Sequence, residues 1–535
     1  MLFLALLLAA PPPDLKAQGE AGLKAIHAEA LSAHVRFLAD DLLEGRGTGS
    51  RGHAIAARYI AGQLQSMGYA PAGDSGTYFQ KVPFVGMTIQ PEGCALTVDG
   101  QQLKYGEEAI YTPRAGTAQG DVSGDLVFAG YAISAPEFKY DDYPKDLKGK
   151  IAVVLYGAPH SDRDDFFPTA ASAVYSDGTR KSRELAQRGA VGIITVLTPA
   201  VAAHLPFSFF ARQTSFEQMV HLEGDKPGGG SALPGARIPY NLLQRLLAKS
   251  GKNADQIFKD GTAGKLKPFD LGMRASLKVS AALRKFDSEN VVALLRGGER
   301  AAENVLVSAH LDHIGIGPAI QGDTIYNGAS DNASGVSAML EVARAFAALP
   351  KRPPRSVLMV AVTGEEKGLQ GSEYFAKHPT VPLASIVADV NFDGVSWDFE
   401  PFDMVALGAE HSTLERHVQA ALSAMKMKES PDSQPEQVFF IRSDQYSFVK
   451  RGIPSIFPSA GQQDERGDTA IRRAADDFYT KNHYHAPSDE WNPKADYENM
   501  AKEVRADFLM ALSIALDPDR PAWNPGDVFG KIFAK

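Results

Sequence analysis

The sequence predicts an α/β chain: a mixed, mostly parallel sheet flanked by helices, with a β-rich module inserted into it. Three observations predict this. From Asn290 onward, apolar strand-like runs alternate with helical ones, the pattern of a parallel sheet covered on both faces. Between about Asp121 and Gly235 the pattern changes to short apolar strands and a Gly- and Pro-rich loop. In the C-terminal half, residues able to bind metal stand directly after apolar strands, where α/β sheets hold their ligands.

The elements run in order along the chain. Ile26 to Met67 reads as helices, with His34, Phe37, Leu38, Leu42 and Leu43 at helical spacing and a second stretch from Ala54 to Met67 ended by Gly68. Between them Glu44–Gly52, EGRGTGSRG, reads as a Gly-rich connection, with a place on the rim of an active site as the alternative. It lacks the Gly-Lys-Ser/Thr ending of a phosphate loop. In the middle block Asp125–Gly130, Ile151–Tyr156 and Val191–Val196 are strands, Glu184–Arg188 is helical and Gly224–Gly235 is a loop. No catalytic cluster is expected there. In the last block Val291–Leu295, Val305–Ala309 and Val357–Val362 are strands, and Ala384–Phe392 leads through another. Gly335–Leu349 and Gly371–Lys377 are helices, the first with Met339, Leu340, Val342, Ala343 and Phe346 inward.

Bulk properties exclude several functions. The 535 residues are 44% hydrophobic and 22% charged, so a sizeable globular core is available. A net charge of −9, with no dense basic run and no aromatic–basic stripe, argues against nucleic acid. The single cysteine, Cys94, allows no intramolecular disulfide and lies far from the metal-type residues. The apolar run Leu2–Ala10, followed by three prolines, has the character of a signal peptide although no basic residue precedes it. Residues 1–18 are therefore expected to be a signal peptide of an exported protein, periplasmic or secreted. The run is too short to span a bilayer, and no other stretch is apolar enough. Oligomeric state has no sequence signal.

Five residues carry the chemistry. They are His310, Asp331, Glu366, Asp393 and His485, in SAHLDH, NGASDNASG, TGEEKGLQGS, NFDG and NHYHAPSD. Two His and three carboxylates suit a borderline cation that takes nitrogen and oxygen ligands. A shared Asp can bridge two ions roughly 3.5–4 Å apart. Asp312, two residues beyond His310, is expected to orient its imidazole. Asp331 precedes a helix, so capping is the alternative to bridging. Glu365 and Glu366 are adjacent acids after an apolar strand; a metal neutralises Glu366 and leaves Glu365 to carry a proton. Asp393 is preferred over Asp389, and His485 over His483. Asp489 is a supporting acid, and the Tyr484 hydroxyl is placed to meet a developing oxyanion.

Taken jointly, these motifs resemble the co-catalytic two-zinc aminopeptidases and their relatives, including plasma glutamate carboxypeptidase and glutamate carboxypeptidase II. SAHLDHIGIG, IYNGASDNASG, TGEEKGLQGSEYF, NFDG, SDQYSFVKRGIPSIF and NHYHAPSDE match in order over most of residues 290 to 490. LLEGRGTGS resembles the start of that family's peptidase domain. FAGYAISAPEFKYDDYPKDLKGKIAVVLYG with RGAVGIITV resembles a protease-associated domain inserted within it. The resemblance implies a zinc-peptidase fold divided as residues 19–115, an insert over 116–285, and the main part over 286–535. It implies two zinc ions per chain, one on His310, Asp331 and Asp393, the other on Asp331, Glu366 and His485. Glu365 would be the general base toward a zinc-bridged hydroxide, Asp312 the orienting acid, and a peptide with a free α-amine the substrate. One departure stands out: Gln445 occupies a position where many relatives have His; it can still hydrogen-bond substrate but cannot titrate, which bears on substrate preference and not on the metal site. The activity implied is an aminopeptidase. The alternative, a carboxypeptidase or dipeptidase, needs a cationic recess, for which Arg442 and Lys450 are the candidates. Zinc, cobalt and manganese all suit the ligand set. A binding protein that has lost catalysis is disfavoured because all five ligands and Glu365 are retained.

Overall fold

The computed structural model describes residues 14–161, 166–434 and 439–534. Most of the expected signal peptide lies outside them. Its expected end at residue 18 falls inside a helix, Leu15–Ala25, capped by the Asp14 carboxylate. Gly19 and Gly22 of that helix lie against Leu509 and Phe508, where a β-carbon would clash.

The main sheet is mixed with a parallel centre. Arg300–His310 pairs in parallel with Arg355–Val362 on one side and Ile386–Asn391 on the other, and the latter pairs in parallel with Ser455–Ala460. Antiparallel strands flank this centre on both sides: Asp403–Leu407 beyond Ser455–Ala460, and the end of Phe269–Leu295 beyond Arg355–Val362. The central strands are buried on both faces, which is why they read as unbroken apolar runs. Alternate residues serve opposite cores. Val357, Met359 and Ala361 face the helices Gly335–Ala348 and Tyr497–Leu516, whereas Leu358, Val360 and Val362 face Phe375 and Phe448.

The second module has its own core, and it starts earlier than expected. Leu96, Val98, Leu103, Ala109 and Tyr111 pack with Phe128, Val153, Ile194 and Leu277. The strands Ala95–Val98 and Ile110–Thr112 pair with strands of this module. The border expected between residues 115 and 116 therefore lies inside one hydrophobic cluster. Among its described residues the module also carries short α-helices, such as Gly178–Gln187 and Phe207–Gln213, so it is mixed α/β rather than simply β-rich. The strand Phe269–Leu295 runs unbroken from the second sheet into the main one. No described helix is long and apolar enough to cross a membrane.

Candidate metal centre

Parallel register brings the site residues to one end of the sheet. Ser308 lies opposite Asn391, and His310 opposite Val362. The next residues of each segment, Asp312, Glu365–Glu366 and Asp393, therefore emerge together. Asp331 arrives on a turn in which Gly328 has φ 63 and the Asp331–Asn332 peptide is cis. Asn332 ties this turn to the neighbouring loop: its carboxamide accepts from the N–H groups of Gly335 and Gly394 and donates to the carbonyl of Phe392. Asn332, not Asp331, thus receives the first helical N–H, and capping does not account for Asp331.

The Asp331 carboxylate faces two groups at once. Its Oδ1 lies 3.3 Å from Nε2 of His310, which is also 3.2 Å from Asp393 Oδ1. Its Oδ2 lies 3.2 Å from Nε2 of His485, which is 3.0 Å from Glu366 Oε2. His313 joins the second group, with Nδ1 2.7 Å from Glu366 Oε1. Sequence reasoning gives His313 no role; the available signal was a third metal-type residue within the six of SAHLDH. His310, Asp331 and Asp393, and likewise His313, Asp331 and Glu366, converge closely enough to hold an ion.

The electrostatics favour positive charge. Burial opposes protonation of His310, yet Asp393, Glu365 and Asp331 outweigh it and hold this ring well above its ordinary range. Burial likewise opposes charge on His485, but Glu366 and Asp331 raise it to about 9. Burial, then the neighbouring carboxylates Glu366, Asp393 and Asp444, pushes the Glu365 carboxyl well up. Both His313 nitrogens and Glu366 Oε1 are buried without a directional hydrogen bond. Converging donors of this kind fit a cation.

Supporting residues come from the N-terminal motif EGRGTGSRG, whose Gly45, Arg46 and Thr48 are buried beneath the site, so that it is more than a simple connection. Arg46 is 1% exposed. Its guanidinium donates to the carbonyls of Leu311 at 3.0 Å, Asn327 at 2.6 Å and Gly328 at 2.8 Å, and to that of Leu38. Thr48 donates its hydroxyl to Asp312 Oδ2 at 2.7 Å, and Glu365 N–H donates to Asp312 Oδ1 at 3.2 Å. The His310 ring is met instead by the main-chain carbonyl of Asp312, 3.1 Å from Nδ1. Asp312 thus orients the imidazole through its backbone, and its carboxylate positions Glu365. Asp489 accepts from the N–H groups of Ser330 and Asp331 and fixes the bridging turn.

The rivals separate cleanly. Asp389 is buried in the sheet on the Ser308 hydroxyl, and His483 faces Ser488. Tyr484 stacks on His485 with ring centroids 3.9 Å apart. Gln445 does not face substrate: it is wholly buried, accepting from Asn391 and donating to the Phe440 carbonyl. Lys450 is paired with Glu373 at 2.7 Å, which leaves Arg442 as the cationic candidate whose charge reaches Tyr484.

Comparison with known proteins places this geometry. Residues 290–507 match the model of Peptidase family M28. The chain is 39% identical over 106 residues to a probable zinc metalloprotease of Pyricularia oryzae, spanning 20% of this chain and 19% of that protein. It is 24% identical over 408 residues to a glutamate carboxypeptidase 2 homolog of Caenorhabditis elegans, spanning 68% of this chain and 49% of the relative. The match thus spans about a fifth of the first curated relative and about half of the second. Among solved structures, an aminopeptidase from Aneurinibacillus sp. strain AM-1 shares the fold, with a TM-score of 0.54 and 18% identity over 95% of this chain and 97% of the other. Residues 290–507 are thus similar to Peptidase family M28.

Proposed function

We propose that this protein is a zinc-dependent exopeptidase that removes N-terminal residues from peptides. The observation that carries this is the split Asp331 carboxylate, one oxygen toward His310 and the other toward His485. His310, Asp331 and Asp393 would hold one ion, and Asp331, Glu366 and His485 a second. Bound there, the ions would supply Lewis acidity toward a carbonyl oxygen and toward water. Glu365 would take the proton of the attacking water on its carboxylate and return it to the leaving nitrogen; its raised pKa, from burial and neighbouring acids, suits a group that must hold that proton. The Tyr484 hydroxyl would donate to the developing oxyanion. The apolar Leu2–Ala10 run supports export, and the strand-and-loop motifs of the second module support its reading as a protease-associated insert.

The test is hydrolysis of Leu-p-nitroanilide, its N-acetylated form and a C-terminally blocked peptide, each with chelator and with zinc restored. Chelator-sensitive cleavage confined to free-amine substrates is the expected result. A requirement for a free C-terminus would replace the aminopeptidase reading by a carboxypeptidase.

A further inference from the structure

The second module, expected to carry no catalytic cluster of its own, touches the site. Its helix Phe207–Gln213 ends at Gln213, whose side-chain amide lies 2.6 Å from Nδ1 of His485, 272 positions away in sequence. The opposite nitrogen of that ring, Nε2, faces Asp331 and Glu366. One turn earlier, Phe209 lies over Tyr484 and His485, with centroids 6.1 Å from each and nearly parallel planes.

This geometry has a chemical consequence. An imidazole that offers its Nε2 lone pair to a cation carries its proton on Nδ1. That proton needs an acceptor, and ligating histidines obtain one from a carbonyl or carboxylate. The Gln213 Nε2 is the atom toward Nδ1 here, but an amide exchanges its NH2 group for its oxygen by a half-turn; with a cation at Nε2 of His485 and the proton on Nδ1, the oxygen of Gln213 would face Nδ1. The mount is firm. Five residues on, Gln218–His221 pairs with Phe84–Met87 at the edge of the main sheet, and Phe216 packs edge-on against Tyr326, 5.4 Å between centroids.

We infer that Gln213 is a positioning residue for His485, so that the inserted module completes the second half of the metal centre. This rests on the two-ion reading above. Holding the proton on Nδ1 and the ring in plane raises the affinity of the His485 group for its ion, while the His310 group, whose ring is held by its own Asp312 carbonyl, is independent of the insert.

The experiment is zinc titration of the full chain against a chromophoric chelator, for the wild type, Gln213→Leu and Gln213→Glu. Gln213→Leu keeps similar volume and removes the acceptor; Gln213→Glu keeps one. The expected result is two ions in the wild type, one of them weakened about 10–100-fold in Gln213→Leu, and affinity recovered in Gln213→Glu. The unchanged ion reports that the variant is folded. Two ions bound as tightly in Gln213→Leu as in the wild type overturn the inference alone. So does weakening of both ions together, or a Gln213→Glu variant as weak as Gln213→Leu, since packing would then be the cause. A wild type that binds fewer than two ions overturns the two-ion reading, and the inference with it.

Discussion

Arg46 offers the most quantitative test of how the site is supported. Its guanidinium is buried and donates to four carbonyls, those of Leu38, Leu311, Asn327 and Gly328. Two of these precede the Asp331 turn and one comes just after His310, so a single side chain ties both ligand segments to the N-terminal helices. Burial lowers its pKa to about 10, against the pull of Asp331, Asp489, Asp312 and Glu366, and it stays charged at neutral pH. Arg46→Met keeps much of the volume and removes all four donors. Hydrogen bonds from a charged donor contribute about 1.5–3 kcal/mol each, and removing a buried charge returns part of that. The net loss is then about 4–6 kcal/mol, comparable to the roughly 5–15 kcal/mol that holds a typical domain folded. Arg46→Lys keeps the charge, but one ammonium cannot span four carbonyls, and about 2–4 kcal/mol is expected. Urea unfolding followed by tryptophan fluorescence and circular dichroism reads both. An Arg46→Met protein within about 1 kcal/mol of the wild type would refute the role assigned to these four bonds.

Three further outcomes are expected. Glu365→Gln should retain its zinc and lose about 10²–10⁴-fold in kcat; loss of metal content, read by elemental analysis, would remove Glu365 from the proton-carrying role. Asp331→Ala should lose both ions together, because its two oxygens serve both groups, and a variant that keeps one ion at full affinity would contradict the bridge. His53 is pushed down to about 3, first by burial and then by Arg46 and Arg58. Its folded form then binds fewer protons than the unfolded chain between pH 3 and about 6.5, so stability rises with pH across that window and is lost as pH falls through it. The loss is on the order of 4 kcal/mol, and His53→Gln should flatten that part of the stability–pH curve; an unchanged slope would place the acid sensitivity elsewhere.

Much of the fold and of the site was legible in the sequence because both depend on local pattern. A parallel strand buried on two faces is a continuous apolar run, and the residues just beyond it must emerge at the sheet's carboxyl end; His310, Glu366 and Asp393 were readable for that reason. What escaped depends on contacts between distant segments. EGRGTGSRG looked like a connection because the partners of Arg46 are mostly backbone carbonyls some 265–282 positions away, which no local pattern encodes. Gln445 looked like a substrate contact because its motif sits beside the site; only its partners, Asn391 and Phe440, show it turned into the core. No local signal marks where the second module ends, because Phe269–Leu295 crosses from one sheet to the other with no break in composition.

That same strand decides what the insert can do. A swinging lid needs a hinge, a few residues free to absorb a large change in backbone angles. Here the C-terminal connection is a strand paired without interruption to Phe79–Ile89, from Ala281 opposite Ile89 to Val291 opposite Phe79. Gln218–His221 adds a second pairing to the other side of Phe79–Ile89. Moving the insert as a rigid body would break both ladders and the buried contacts beneath them, Val85, Met87, Val220 and Leu222. The module is therefore a fixed wall. Phe209 lies over His485 with ring centroids 6.1 Å apart, and Gln213 stands on the same strand-anchored mount.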